Sequence, residues 1–161
     1  MKKALIIIGI AIVVIIAMIV LCVIFNNKKV KVSEIIHLSF SYTQGYSINS
    51  NIVYTLEYRN DKYIATVKPY GISNEESREI VVKEDFVKEV EDVLNKYEVA
   101  SWDGFNKSDK YVLDGDSFSF STSFKDDKSI SAHGYMSWPK NYYNVRNELD
   151  ELFMNLYNSV Y

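Results

Sequence analysis

From Ala4 to Phe25 the chain reads "ALIIIGIAIVVIIAMIVLCVIF" without one charged residue. At ~1.5 Å of rise per residue, a helix of that length reaches about 33 Å, enough to cross a hydrocarbon core of roughly 30 Å. Ile and Val favour strands in water, but in lipid a single segment satisfies its backbone groups only as a helix. The expectation is a membrane anchor over residues 1–27, meeting the lipid bilayer through residues 4–25. A linker over 28–33 and a soluble domain over 34–161 follow. A cleaved signal would have a shorter apolar stretch ending in small residues, whereas this one ends "LCVIFNNKK". A lipoprotein signal would carry Gly, Ala or Ser before its cysteine, and here Leu21 precedes Cys22.

Lys2 and Lys3 flank the run on one side, and Lys28, Lys29 and Lys31 on the other, so the positive-inside comparison is close to a tie. The short "MKK" leader tips it towards an N-terminus inside and a domain outside the cytoplasm, in the cell membrane with a single pass. Cys22 is the only cysteine, so the domain can form no disulfide, which favours a bacterial cell envelope over a small secreted eukaryotic domain. Five of the 18 Lys and Arg lie at or before Lys31, leaving 13 against all 21 acids, a net of −8 on the domain. Such a domain, with no basic stripe, argues against nucleic acid as a partner. All 13 tyrosines lie beyond the apolar run, a load that argues against disorder.

Past the linker the hydrophobic period becomes two. In "IIHLSFSY" Leu38, Phe40 and Tyr42 share one face, with His37, Ser39 and Ser41 on the other. Ile52, Tyr54, Leu56 and Tyr58 align in the next strand, and Tyr63, Ala65 and Val67 in the third, with Asn60-Asp61 as a two-residue hairpin turn. "REIVV" is a candidate short fourth strand. The period then lengthens, and Phe86, Val90, Val93, Leu94 and Tyr97 mark an amphipathic helix with Asp85 as its cap. In "SFSFSTSF", Phe118, Phe120 and Phe124 alternate with serines. Asp126-Asp127 turns the chain, and "SISAHGYM" returns with Ile130, Ala132 and Met136 inward. Pro139 suits the first turn of a last helix, whose stripe is Tyr142, Val145, Leu149, Leu152, Phe153, Leu156 and Val160.

The expected fold class is therefore an α+β domain behind an N-terminal transmembrane helix. Its antiparallel sheet carries two helices on one face, in the order β-β-β-(β)-α-β-β-α. Residues 54–97 and 119–157 both read hairpin then helix, but shared order without shared side chains is weak ground for a duplication.

The stretch "WDGFNKSDKYVLDGDSF", 102–118, gathers four aspartates, two glycines and four aromatics. An EF-hand needs oxygen ligands at the third and fifth positions. From Asp103 those are Phe105 and Lys107, and from Asp109 they are Tyr111 and Leu113. Two Asp-Gly turns explain the stretch better, with Trp102 and Phe105 tucked back as anchors and Val112 and Leu113 as a second hold.

Residues 101–153 resemble a domain of poorly characterised membrane-anchored proteins and lipoproteins of low-GC Gram-positive bacteria. The resemblance is carried by W-D-G-F at Trp102 to Phe105, L-D-G at Leu113 to Gly115, D-D-K at Asp126 to Lys128, and W-P-x-N-Y at Trp138 to Tyr142. It implies a fold and an envelope location and brings no assigned activity.

Catalytic groups are scarce. His37 and His133 are the only histidines, and two histidines without a cysteine in the domain make no zinc pattern. A Ser131–His133–Asp set can be written on paper, but serine lies on every exposed strand face here. Glu75, Glu76 and Glu79, or Asp114 and Asp116, could supply paired carboxylates, though acids this dense are mostly solvated surface. No cofactor, metal or catalytic residue is expected. The expected role is binding of an envelope protein or peptide, with His133, Tyr135, Trp138, Tyr142 and Tyr143 as the contact residues. The runner-up readings are an inhibitor or immunity-type protein and, after it, a hydrolase.

Overall fold

The structure, a computed structural model, describes residues 15, 16, 18, 31–43, 50–73, 76–112 and 114–160. The chain divides into two units, Met1–Val30 and Lys31–Tyr161. In the first, Ile15, Ile16 and Met18 are helical and exposed; the rest of the 4–25 run, and with it the expected anchor, lies outside the described residues. Among the described residues no helix is long and apolar enough to cross a membrane.

The second unit is an α+β domain. Its elements are β1 (Ile35–Thr43), β2 (Asn51–Arg59), β3 (Lys62–Lys68), β4 (Arg78–Val82), α1 (Glu84–Lys96), a 3-10 turn (Val99–Trp102), β5 (Phe105–Ser108), β6 (Ser117–Phe124), β7 (Ser129–Tyr135) and α2 (Tyr142–Asn158). They build one seven-stranded sheet in the order β4-β3-β2-β1-β6-β7-β5. All neighbours are antiparallel except β5, which runs parallel to β7. β1 lies between the β2–β3 hairpin and the β6–β7 hairpin. At the first hairpin Asn60 and Asp61 have φ of 52° and 58°, the primed-turn geometry that their short polar side chains tolerate.

Strand period decides the two faces. Phe40 stands opposite Tyr54 on one side and Phe120 on the other, and Leu56 opposite Ala65, so one face is apolar across the sheet. Both helices cover that face. Tyr54 stacks on Phe153 of α2 at 4.8 Å, and Phe86 of α1 meets the edge of the same ring at 5.2 Å. Val87, Val90, Val93 and Leu94 of α1 and Tyr142, Val145, Leu149 and Phe153 of α2 are buried there. At about 1.5–3 kcal/mol for each fully buried large apolar side chain, this face dominates the favourable side of folding.

Several expectations need correction. The 102–118 stretch is more than a loop, because it contains the 3-10 turn's end and the edge strand β5. The order is thus β-β-β-β-α-β-β-β-α. Asp85 lies inside α1, whose N-cap is Lys83 with no side-chain cap bond. Pro139 precedes α2, its carbonyl accepting from the Tyr142 N–H at 3.2 Å, and Asn141 at φ 64° is the N-cap. Met136, Tyr58 and Val160 are exposed, since each sits where its strand or helix runs past the core. Gly104 has the positive φ (74°) expected of Asp-Gly; Gly115 does not, and its constraint is the side chain of Met136, which a Cβ would strike. Leu113 and Glu75 lie outside the described residues, and Glu79 is on β4.

Candidate functional site

The face opposite the helices is built from the other half of the strand alternation. Cross-strand register lines up Thr66, Thr55, Ser39, Ser121 and Ser131 in one row. The next row holds Val53, Ser41, Ser119 and His133 and ends at Asn106 of β5; beyond it Ser117 stands opposite Tyr135, and the Ser117 N–H donates to the Thr43 hydroxyl at 2.8 Å. Ser119, Ser129, Ser131 and His133 are exposed, and no described element covers them. Asn106, Ser119, Ser121, Ser131 and His133 line a shallow depression of about 380 Å³ beside Gly104 and Phe105. Each hydroxyl can both donate and accept, so the face is a dense, sequence-encoded array of hydrogen-bonding groups.

The W-D-G-F element fastens the edge of this face. Trp102 is fully buried against Phe118, Phe120 and Tyr142, and its indole N–H donates to the Lys140 carbonyl at 2.9 Å. The next residue turns outward. The Asp103 carboxylate accepts the Ser131 backbone N–H at 3.1 Å, and the Gly104 N–H donates to the Ser131 carbonyl at 2.9 Å. Asp103 therefore closes the backbone of β7 at the point where β5 begins, and Phe105 packs half-buried behind it.

The five expected contact residues divide between the two sides. His133 and Tyr135 point to the open face, since they pair with Ser119 and Ser117. The chain then reverses through Met136 at φ 48° and carries Trp138 and Tyr142 to the helix side. There Trp138 stacks on Tyr142 at 4.6 Å and both meet Phe118. Tyr142 is 2% exposed, while Tyr143, 5.9 Å from Trp138 between ring centres, is 52% exposed. The structure brings Trp138, Tyr142 and Tyr143 together and leaves His133 and Tyr135 apart from them.

Among the described residues no hydrogen bond joins the Ser131 and His133 side chains to each other or to an acid, and the Asp103 carboxylate beside them accepts the Ser131 backbone N–H. A second row places Glu57, His37 and Ser123 side by side on the open face. His37 Nδ1 is 3.9 Å from the Glu57 carboxylate, and no bond from Ser123 to the ring is present among the described residues. Arg59 lies 4.0 Å from Glu57 and 2.6 Å from Glu79, so these acids are drawn into a surface ion network. Among the described residues no three His, Cys, Asp or Glu side chains are grouped so as to hold a metal ion.

One titratable cluster escaped the sequence reading. The Tyr42 hydroxyl donates to both oxygens of Asp150, at 2.7 and 2.8 Å, and Arg146 Nε lies 3.9 Å away. Arg146 also spreads over the rings of Tyr42 and Tyr143, at 5.3 and 5.5 Å, and its Nε is buried without a hydrogen-bond partner. Burial pushes the Asp150 carboxyl above the usual carboxylate range, against the pull of Tyr42, Tyr54 and Arg146. Burial, with the bond to Asp150 adding to it, likewise raises the Tyr42 phenol. The signal was present as Arg146 and Asp150, four apart beside buried Val145 and Leu149. The cluster ties α2 to β1.

No protein-family model matches the chain, and no curated protein matches it.

Proposed function

We propose that the chain is a non-catalytic, membrane-anchored binding domain that presents its open sheet face to an envelope protein or peptide outside the cytoplasm. The observation that carries this reading is the hydroxyl face itself. Strands β1, β6 and β7 place small polar side chains in register over one surface that no described element covers, with His133 and Tyr135 towards one end. Small side chains lose little conformational freedom on contact, and paired donors and acceptors suit an extended backbone or a polar surface. Tyr135 at the rim is the residue type that contributes strongly at interfaces. The anchor and orientation rest on the apolar run and the "MKK" leader, together with the resemblance of residues 101–153 to anchored envelope proteins. The inhibitor or immunity-type reading draws on an exposed aromatic loop at 102–116; Trp102 is buried and Tyr111, 96% exposed, is what remains of it.

Protease treatment of intact cells tests location. Digestion of the domain from outside is expected, and protection until lysis would reverse the topology. Loss of partner crosslinking on Ser119→Arg or Ser131→Arg, with folding intact, is expected for the binding face. Unchanged crosslinking would remove the reading.

A further inference from the structure

We propose that β4 is the edge on which a second copy of this chain pairs, antiparallel, so that two seven-stranded sheets become one. The two edges of the sheet differ in how they are guarded. Proteins blunt a free edge by keeping it short, by placing lysine on it or by covering it. β5 has four residues and is bound back to β7 through the Asp103 and Gly104 contacts. β4 has five residues, and the extended backbone continues through Lys83 (φ −89°, ψ 165°). Val81 on it is 64% exposed, and no strand lies on its outer side among the described residues.

Register selects the partner. Pairing of Glu79 with Thr66 and of Val81 with Ile64 places Glu79 and Val81 on the open face, and Lys83 follows in the same alternation. Ile80 and Val82 point to the helix side. An antiparallel edge pair related by a twofold axis normal to the sheet keeps like faces together. Centred on Val81, that axis sets Val81 against Val81 of the second copy, Ile80 against its Val82, and Glu79 against its Lys83, the last two contacts each made twice. Centring on Glu79 would oppose two carboxylates, and centring on Lys83 two ammonium groups. Like charges directly opposite are unfavourable and opposite charges favourable; centring on Ile80 would set Glu79 against Val81 and leave the charges unpaired, so the Val81-centred register is the one that opposes Glu79 and Lys83. Arg59 already reaches Glu79 at 2.6 Å within one copy, so Glu79 would stand between two cations. The same axis leaves Val32, held by Asn95 of α1, on the helix side in both copies. The pairing does not rest on what binds the open face; it makes that face continuous across both copies.

The test uses the full chain in membranes with Cys22→Ser and Val81→Cys, oxidised and read as disulfide-linked dimer. Tyr111→Cys serves as the exposed control. The expected result is a dimer yield at least about fivefold above the control. Glu79→Lys should lower that yield, and Glu79→Lys combined with Lys83→Glu should restore it. Yield no greater than the Tyr111→Cys control, adducts of Val81→Cys with a different protein, or a double reversal that fails to restore the dimer would each overturn the pairing.

Discussion

Phe120 and Ser121 are neighbours on β6, yet they belong to surfaces with different duties. Phe120 meets Phe40 and Trp102 in a face closed by two helices, whereas Ser121 stands between Ser39 and Ser131 on a face that nothing described covers. The backbone is common to both, so the difference lies wholly in side chains and in what is packed on them. On the helix side, aromatic and branched residues interdigitate and a change of one atom is felt. On the open side, hydroxyls of similar size repeat from strand to strand, and stability scarcely constrains them. That polar, small and regular surface has no packing reason, and it is the one on which we propose recognition rests.

The largest effect should come from the helix side at Trp102. Trp102→Ala removes a fully buried ring and its bond to the Lys140 carbonyl, and should cost about 3–5 kcal/mol by denaturant titration. A loss under about 1 kcal/mol would mean that the W-D-G-F element is not the fastening described. Next, Gly134→Ala would thrust a Cβ into the Ser137 carbonyl and the Phe118 ring and should cost about 1–3 kcal/mol. Three residues earlier, Ser131→Ala on the open side should stay within about 0.5 kcal/mol of wild type. Equal effects at the two positions would dissolve the distinction between the faces.

Asp150 sharpens the comparison through pH. Its carboxyl is held above the unfolded value by burial, so the folded chain binds that proton more tightly than the unfolded chain does. The resulting stabilisation is complete below the unfolded carboxylate pKa, about 3.9, and is lost as pH rises through the folded pKa. Tyr42 and Tyr54 from the sheet and Arg146 and Tyr142 from α2 are the titratable or charged groups around it. Asp150→Asn should therefore gain stability relative to wild type between pH 4 and pH 7, read from urea midpoints. A difference independent of pH would contradict the burial argument. Tyr42→Phe, which removes the hydroxyl that donates to both carboxylate oxygens, should cost about 1–3 kcal/mol at neutral pH.

Much of this contrast is legible in the chain. Strict alternation in "SFSFSTSF" and "IIHLSFSY" marks both faces, and Asn60-Asp61 marks its hairpin, because burial of one face leaves no other register. β5 is not legible. "FNKS" has no apolar alternation and becomes a strand through pairing with β7, a contact between segments far apart in sequence. The placement of Trp138 and Tyr142 is hidden for a related reason. The strand ends at Tyr135, and the left-handed residues Met136 and Asn141 break the chain's alternation, so the period of two no longer says which way either ring points. The Tyr42–Asp150 bond joins residues 108 positions apart, which no local pattern encodes.

The most direct test of the account compares the two faces in the living cell. A photo-crosslinking residue placed at Ser131, on the open face, is set against one at Glu151, exposed on α2. The account predicts a discrete crosslinked adduct from Ser131 and none from Glu151. Adducts from Glu151 alone, or equal adducts from both, would contradict it.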